Sequence, residues 1–189
     1  RGVARKSQLY EKAPVRELRR RLWVTDTQDV SILEKDVCSL LGIVSIKDSP
    51  NMAVAARKSG DYDADTAAQI AWFGRCRQLA HGVAAAKYSD SNWAPGVAEL
   101  MKLAERADDL RRVPKVLADM GVRLVVVQHL RKTKIDGVAT WLDDSTPVVG
   151  MSLRYDRIDN FWFTLLHELA HIRHRDKNAP VDVDMEGKC

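Results

Sequence analysis

The sequence predicts an α+β chain in which an N-terminal helical region is followed by a small antiparallel sheet and then an H-E-x-x-H helix. Three observations carry that expectation. Up to about residue 111, apolar residues recur at helical spacing in segment after segment. Three short runs rich in β-branched residues follow, separated by polar, turn-prone connections. Last, the stretch from Phe161 to His174 returns to helical period with its apolar and histidine positions on opposite faces.

The first helix is expected to begin near Pro14, a residue suited to a first helical position, with Val15, Leu18 and Leu22 on its inner face. Thr25, Asp26 and Thr27 offer caps for a second helix, whose stripe of Val30, Leu33, Val37, Leu40 and Leu41 ends at Gly42. Turn formers at Asp48 to Asn51 and Ser59 to Asp61 bracket a short helical stretch, Met52 to Arg57. From Asp65, the residues Ala67, Ile70, Ala71, Phe73, Cys76, Leu79, Ala80 and Val83 describe a long amphipathic helix; His81 on it has no second ligand type at metal spacing. A turn-rich link from Tyr88 to Gly96 leads to a helix from Val97, and a shorter one runs from Pro114 to Gly121. The β-type runs are Val122 to Gln128, Gly137 to Leu142 and Pro147 to Leu153, and short connections between them favour antiparallel pairing. Pro147 to Leu153 is the expected edge for an extended peptide. The helix after it is expected to be capped by Asp156 or Asp159 and stopped by the run from Arg175 to Pro180. The acidic tail beyond has only Val181, Val183 and Met185 to anchor it.

With 189 residues, 46% hydrophobic and 30% charged, the chain has the balance of a folded domain or of two small ones, divided at 1–111 and 112–189. No apolar run reaches the length of a membrane span and no apolar signal core is present, so a cytoplasmic location without membrane contact is expected. The chain starts without Met and is expected to be a piece of something longer. Cys38, Cys76 and Cys189 form neither a C-x-x-C pair nor a disulfide framework. Of the net charge of +4, residues 1–22 hold eight Lys or Arg against Glu11 and Glu17, a local +6 that leaves −2 for the rest. A basic segment of this size gives weak, sequence-independent DNA contact at most, or serves as a solvated helix face.

The chemistry is concentrated in His167-Glu168-Leu-Ala-His171. On a helix, His167 and His171 lie one turn apart on one face and can share a zinc ion, while Glu168 beside them is placed to take a proton from the attacking water. Ile158, Trp162, Leu165, Leu169 and Ile172 fall on the opposite stripe, and Phe163 and Ala170 flank the histidines. His174 shares the histidine face but lies about 10 Å of helix rise beyond His167, too far for the same ion. The alternative is a surface helix with chance histidines.

The runs Gly137-Val-Ala-Thr-Trp-Leu and Pro147 to His171, with the lead-in Arg154-Tyr-Asp-Arg-Ile-Asp-Asn-Phe-Trp-Phe163, resemble the ImmA/IrrE family of bacterial and phage zinc metallopeptidases. The likeness is strongest to members fused behind a helix-turn-helix in HigA-like antitoxin regulators, and it covers about residues 112 to 175. It implies a zincin-like domain with zinc as cofactor, His167 and His171 as metal ligands and Glu168 as catalytic residue. Its partner would be a cytoplasmic protein substrate such as a repressor, or a toxin. DNA would be reached only through a missing upstream helix-turn-helix domain, and a homodimer is left open. In that family the third ligand is an acidic residue on a helix further downstream, so the domain is expected to be C-terminally truncated. Asp182, Asp184 and Glu186 are the late acidic residues here, none in such a helix, and the role passes to none of them. Zinc is therefore expected to bind weakly or not at all and the piece to be inactive as a peptidase without the downstream segment, leaving a non-catalytic antitoxin-like regulator as the competing expectation.

Overall fold

In the computed structural model, the described residues are 2–50, 65–155 and 157–175, with the backbone of 182–183 from the tail. The expected helix from Met52 to Arg57, the candidate cap Asp156 and the side chains of the acidic tail lie outside them. The helices are α1 (Gly2–Lys12), α2 (Val15–Arg20), α3 (Val30–Leu41), α4 (Thr66–His81), α5 (Trp93–Ala104), α6 (Val113–Asp119) and α7 (Ile158–Arg173). The strands are β1 (Arg123–Val126), β2 (Ile135–Trp141), β3 (Pro147–Met151) and β4 (Asp182–Val183). This is an α+β architecture.

The helices begin and end for local reasons, not always at the predicted residues. The cap of α3 is Asp29, whose carboxylate accepts from Ser31 N at 2.8 Å and Ile32 N at 3.4 Å, so Thr25 to Thr27 lie upstream of the helix start. Its C-terminal cap is Gly42 as expected, at φ 66°, a conformation that costs a side-chain-bearing residue more. Two differences fall early in the chain: α1 precedes the helix expected at Pro14, and α2 is only six residues long. Asp65 caps α4 through Ala68 N at 3.1 Å.

The sheet order is β1-β3-β2-β4, and here the expectation of an antiparallel sheet needs correction. Strand direction does alternate along the chain, but β3 inserts between β1 and β2, so two strands running the same way become neighbours. β1 therefore pairs with β3 in parallel, from Arg123 opposite Val148 to Val126 opposite Met151, while β2 is antiparallel to both β3 and β4. The sheet is mixed. Its insertion makes β3 an interior strand buried along its whole length, so Pro147 to Leu153 offers no edge for an added peptide. The tail was expected to have only Val181, Val183 and Met185 to anchor it; Asp182 and Val183 add to the far side of β2 through backbone pairing, which needs no apolar side chain.

Each sheet face has its own apolar cluster. On one face, Val125, Val138 and Val148 pack with Ala71, Trp72 and Cys76 of α4, and the cluster extends to Leu18 of α2 and Val37 of α3. On the other, Ala139, Val149 and Met151 pack with Trp162, Leu165 and Leu169 of α7 and with Leu117 of α6. The periodicity changes near residue 111, but the contacts cross that point. Trp72 Nε1 donates to the Val127 carbonyl at 2.8 Å, Gln69 Nε2 to that of Thr133 at 2.9 Å, and Arg21 to those of Gln128 and His129 at 2.9 and 2.8 Å. No helix among the described residues is long and apolar enough to cross a membrane.

Burial, followed by the charges of Arg154 and Arg21, holds the His129 imidazole below its ordinary value, with Glu17 and Asp136 opposing. The folded state thus resists protonation more than the unfolded chain does. Its contribution to stability is complete above the unfolded value of about 6.5 and declines as pH falls from there towards the folded value. Urea midpoints measured above and below that window are expected to drop less on acidification in His129→Gln than in the parent; equal drops would place the acid sensitivity elsewhere.

Candidate metal centre

The helix that carries the motif starts without a side-chain cap. Its capping residue is Arg157, not Asp156 or Asp159, and Asp159 instead sits in the first turn. There Asp159 pairs with Arg157 at 2.5 Å and accepts from Asn160 N at 3.0 Å. Those two bonds, the Arg157 one first, hold its carboxyl below the usual range, and a negative charge in the first turn suits the helix dipole. Of the predicted apolar stripe, Trp162, Leu165, Leu169 and Ile172 are buried against the sheet, while Ile158 is exposed because it precedes the contact.

On the flank of α7, His167 and His171 come together. Their Nε2 atoms are 3.1 Å apart, with ring centroids at 4.8 Å and planes at 79°. In the absence of metal that distance suits one ring N–H donating to the other ring nitrogen. It also fits a shared ion: two nitrogens each about 2.0–2.1 Å from zinc are this far apart when the angle at the metal is roughly 100°, close to tetrahedral. Both rings are half-buried, and Phe163, at 57% exposure, stacks on His167 with planes at 21°. His174 is exposed at the helix C-terminal cap, outside the pair.

Glu168 is buried completely, beneath the helix flank and against β2. A Cβ at Gly137 would lie 2.5 Å from Glu168 Oε1 and 2.7 Å from Thr164 Cγ2. The carboxylate therefore occupies space that only a glycine in the strand can leave open. Reading the sequence placed Glu168 beside the imidazoles but missed Gly137 and Thr164 as the walls around it. The available signal was the glycine that opens the expected run Gly137 to Leu142 and lies inside the observed strand, where a glycine often marks close approach by another group.

The described residues contain no group of three His, Cys, Asp or Glu side chains arranged to hold one ion. In the register of β4, the backbone of Asp182 lies opposite Gly137, so the acidic tail returns to the strand position that faces Glu168. Among the described residues, Cys38 and Cys76 are free and buried away from the pair, and burial pushes the Cys76 thiol well above its ordinary value. His81 is exposed in the last turn of α4. No family model, curated protein or solved structure matches the chain.

Proposed function

We propose that this chain carries a zinc metallopeptidase-like domain of the ImmA/IrrE type, which hydrolyses a peptide bond in a cytoplasmic regulatory protein and belongs to a bacterial or phage transcriptional regulator. The observation that carries the reading is the His167–His171 pair, held at 3.1 Å on one side of α7 next to a buried carboxylate. His167 and His171 would hold the metal, which when bound polarises the substrate carbonyl and makes water more acidic. Glu168 accepts the proton of the attacking water and passes it to the leaving amine. Gly137 and Thr164 border the space its buried carboxylate occupies. Phe163 presents an exposed ring next to His167, suited to an apolar substrate side chain.

A second reading, a regulator that binds a toxin or inducer without cleaving it, is favoured by the lack of a third converging ligand among the described residues. With two imidazoles alone, more of the metal's positions fall to water and affinity declines. Zinc titration of the purified chain beside His167→Ala and His171→Ala is expected to show one weak site per chain that either substitution removes. Equal zinc binding by all three proteins would eliminate the histidine pair as a metal site and both zinc-dependent steps with it.

A further inference from the structure

We propose that the cleft between the α1–α2 turn and the β1–β2 connection binds a small organic phosphate. The cleft measures about 530 Å³, within the range of roughly 300–1,000 Å³ typical of small-molecule sites. Arg16, Arg20, Arg131 and Lys132 line it together with Glu17 and Asp65. Both carboxylates are already engaged. Glu17 accepts from Arg21 at 2.7 Å and from the backbone N–H of Arg131 at 3.3 Å, and Asp65 caps α4. Arg20 shares Glu17 at 3.7 Å. The side chains of Arg16, Arg131 and Lys132 make no hydrogen bond or ion pair with the described residues.

Three cations without partners among the described residues thus face one concave site, where their mutual repulsion is relieved by an anion. Two of them are guanidinium groups, whose fork of donors matches phosphate oxygens. A phosphomonoester carries about −1.5 to −2 charges near neutral pH, close to the formal +2 of the lining residues. The remaining wall is Tyr10, Ala13, Pro14 and Val15, which inorganic phosphate would leave uncontacted and an organic body would cover. The site is also braced, because the Lys132 carbonyl accepts from Asp65 N at 2.9 Å and so ties the connection to the start of α4. Among the described residues, the other arginines of the basic N-terminal segment are spent elsewhere: Arg5 pairs with Glu34, Arg19 with Asp26, and Arg21 with Glu17 and two carbonyls. That leaves a local cleft rather than the extended basic stripe that tracks a nucleic-acid backbone. No lining residue belongs to α7, so the proposal is independent of the metal centre.

The test is calorimetric titration of the whole chain with AMP, pyridoxal 5′-phosphate, glucose 6-phosphate, inorganic phosphate and a short duplex DNA. At least one organic phosphate is expected to bind one per chain and more tightly than inorganic phosphate. Losing two charge-assisted contacts in Arg16→Gln/Arg131→Gln should weaken it about tenfold or more. Both residues are exposed, so the far-ultraviolet spectrum and melting temperature should stay unchanged in that variant. Arg19→Gln, on the same helix but outside the cleft, should bind like the parent. The proposal is overturned if no organic phosphate exceeds inorganic phosphate, if the double substitution leaves binding intact, or if the DNA binds more tightly than every small phosphate.

Discussion

Glu168→Gln is expected to reduce peptide hydrolysis by about 10²- to 10⁴-fold at saturating zinc, the usual contribution of a positioned general base, while zinc binding stays at the parent level. The amide is the right probe because it keeps the shape of the side chain that fills the space opposite Gly137, where alanine would leave a void and confound chemistry with packing. His167→Ala should lose zinc and hydrolysis together. Mass spectrometry of a peptide library incubated with each protein distinguishes the cases. Cleavage retained in the Gln variant removes Glu168 from the mechanism. A parent that takes up zinc through the histidines but cleaves nothing points to the binding-only reading.

Trp72→Ala should cost about 3–5 kcal/mol for the lost burial and the cavity together. Trp72 is fully buried in the middle of α4, and its indole N–H is the hydrogen-bond partner of the Val127 carbonyl just beyond β1. Stranding that carbonyl adds about 1 kcal/mol more. For a chain of this size each kcal/mol moves the melting temperature by roughly 2–4 °C, so a drop of about 10 °C or more is expected by calorimetry. Trp72→Phe, which keeps most of the volume and loses the donor, should fall between. A loss below about 1 kcal/mol in the alanine variant would mean that α4 does not rest on the sheet as described.

The α3 and α7 stripes were legible because a buried helix face must repeat at 3.6 residues, and Leu33, Val37, Trp162, Leu165 and Leu169 do so. The expected stripe of α4 did not hold: residues 68–74 are buried all round, because the helix lies between the sheet and the N-terminal helices, while Leu79 is exposed. The helix ends were less legible: Asp29 caps α3 in place of the expected Thr25 to Thr27, because several short polar side chains close together can each accept an amide. Sheet order was not legible. Local periodicity says that Pro147 to Met151 is extended and says nothing about which strands lie beside it, and the insertion of β3 between β1 and β2 depends on contacts far apart in sequence. At the candidate metal centre the spacing of His167 and His171 carried the imidazole pair, since one helical turn fixes it. The burial of Glu168 depends on Gly137, thirty-one residues earlier, a relation that no local pattern encodes.

β2 serves two layers at once: Val138 faces α4, and its neighbours Gly137 and Ala139 face α7. Helices more than seventy residues apart in sequence therefore lean on one strand, and neither layer can melt without exposing the apolar surface of the other. Mass action then applies to the whole unit. A ligand that binds only the folded form, at a free concentration of 100 times its dissociation constant, raises unfolding free energy by about 2.7 kcal/mol, and the shared strand spreads that protection to both layers. Zinc held by α7 would make α4 harder to unfold without touching it, and a phosphate held beside α2 would do the same for the histidine pair.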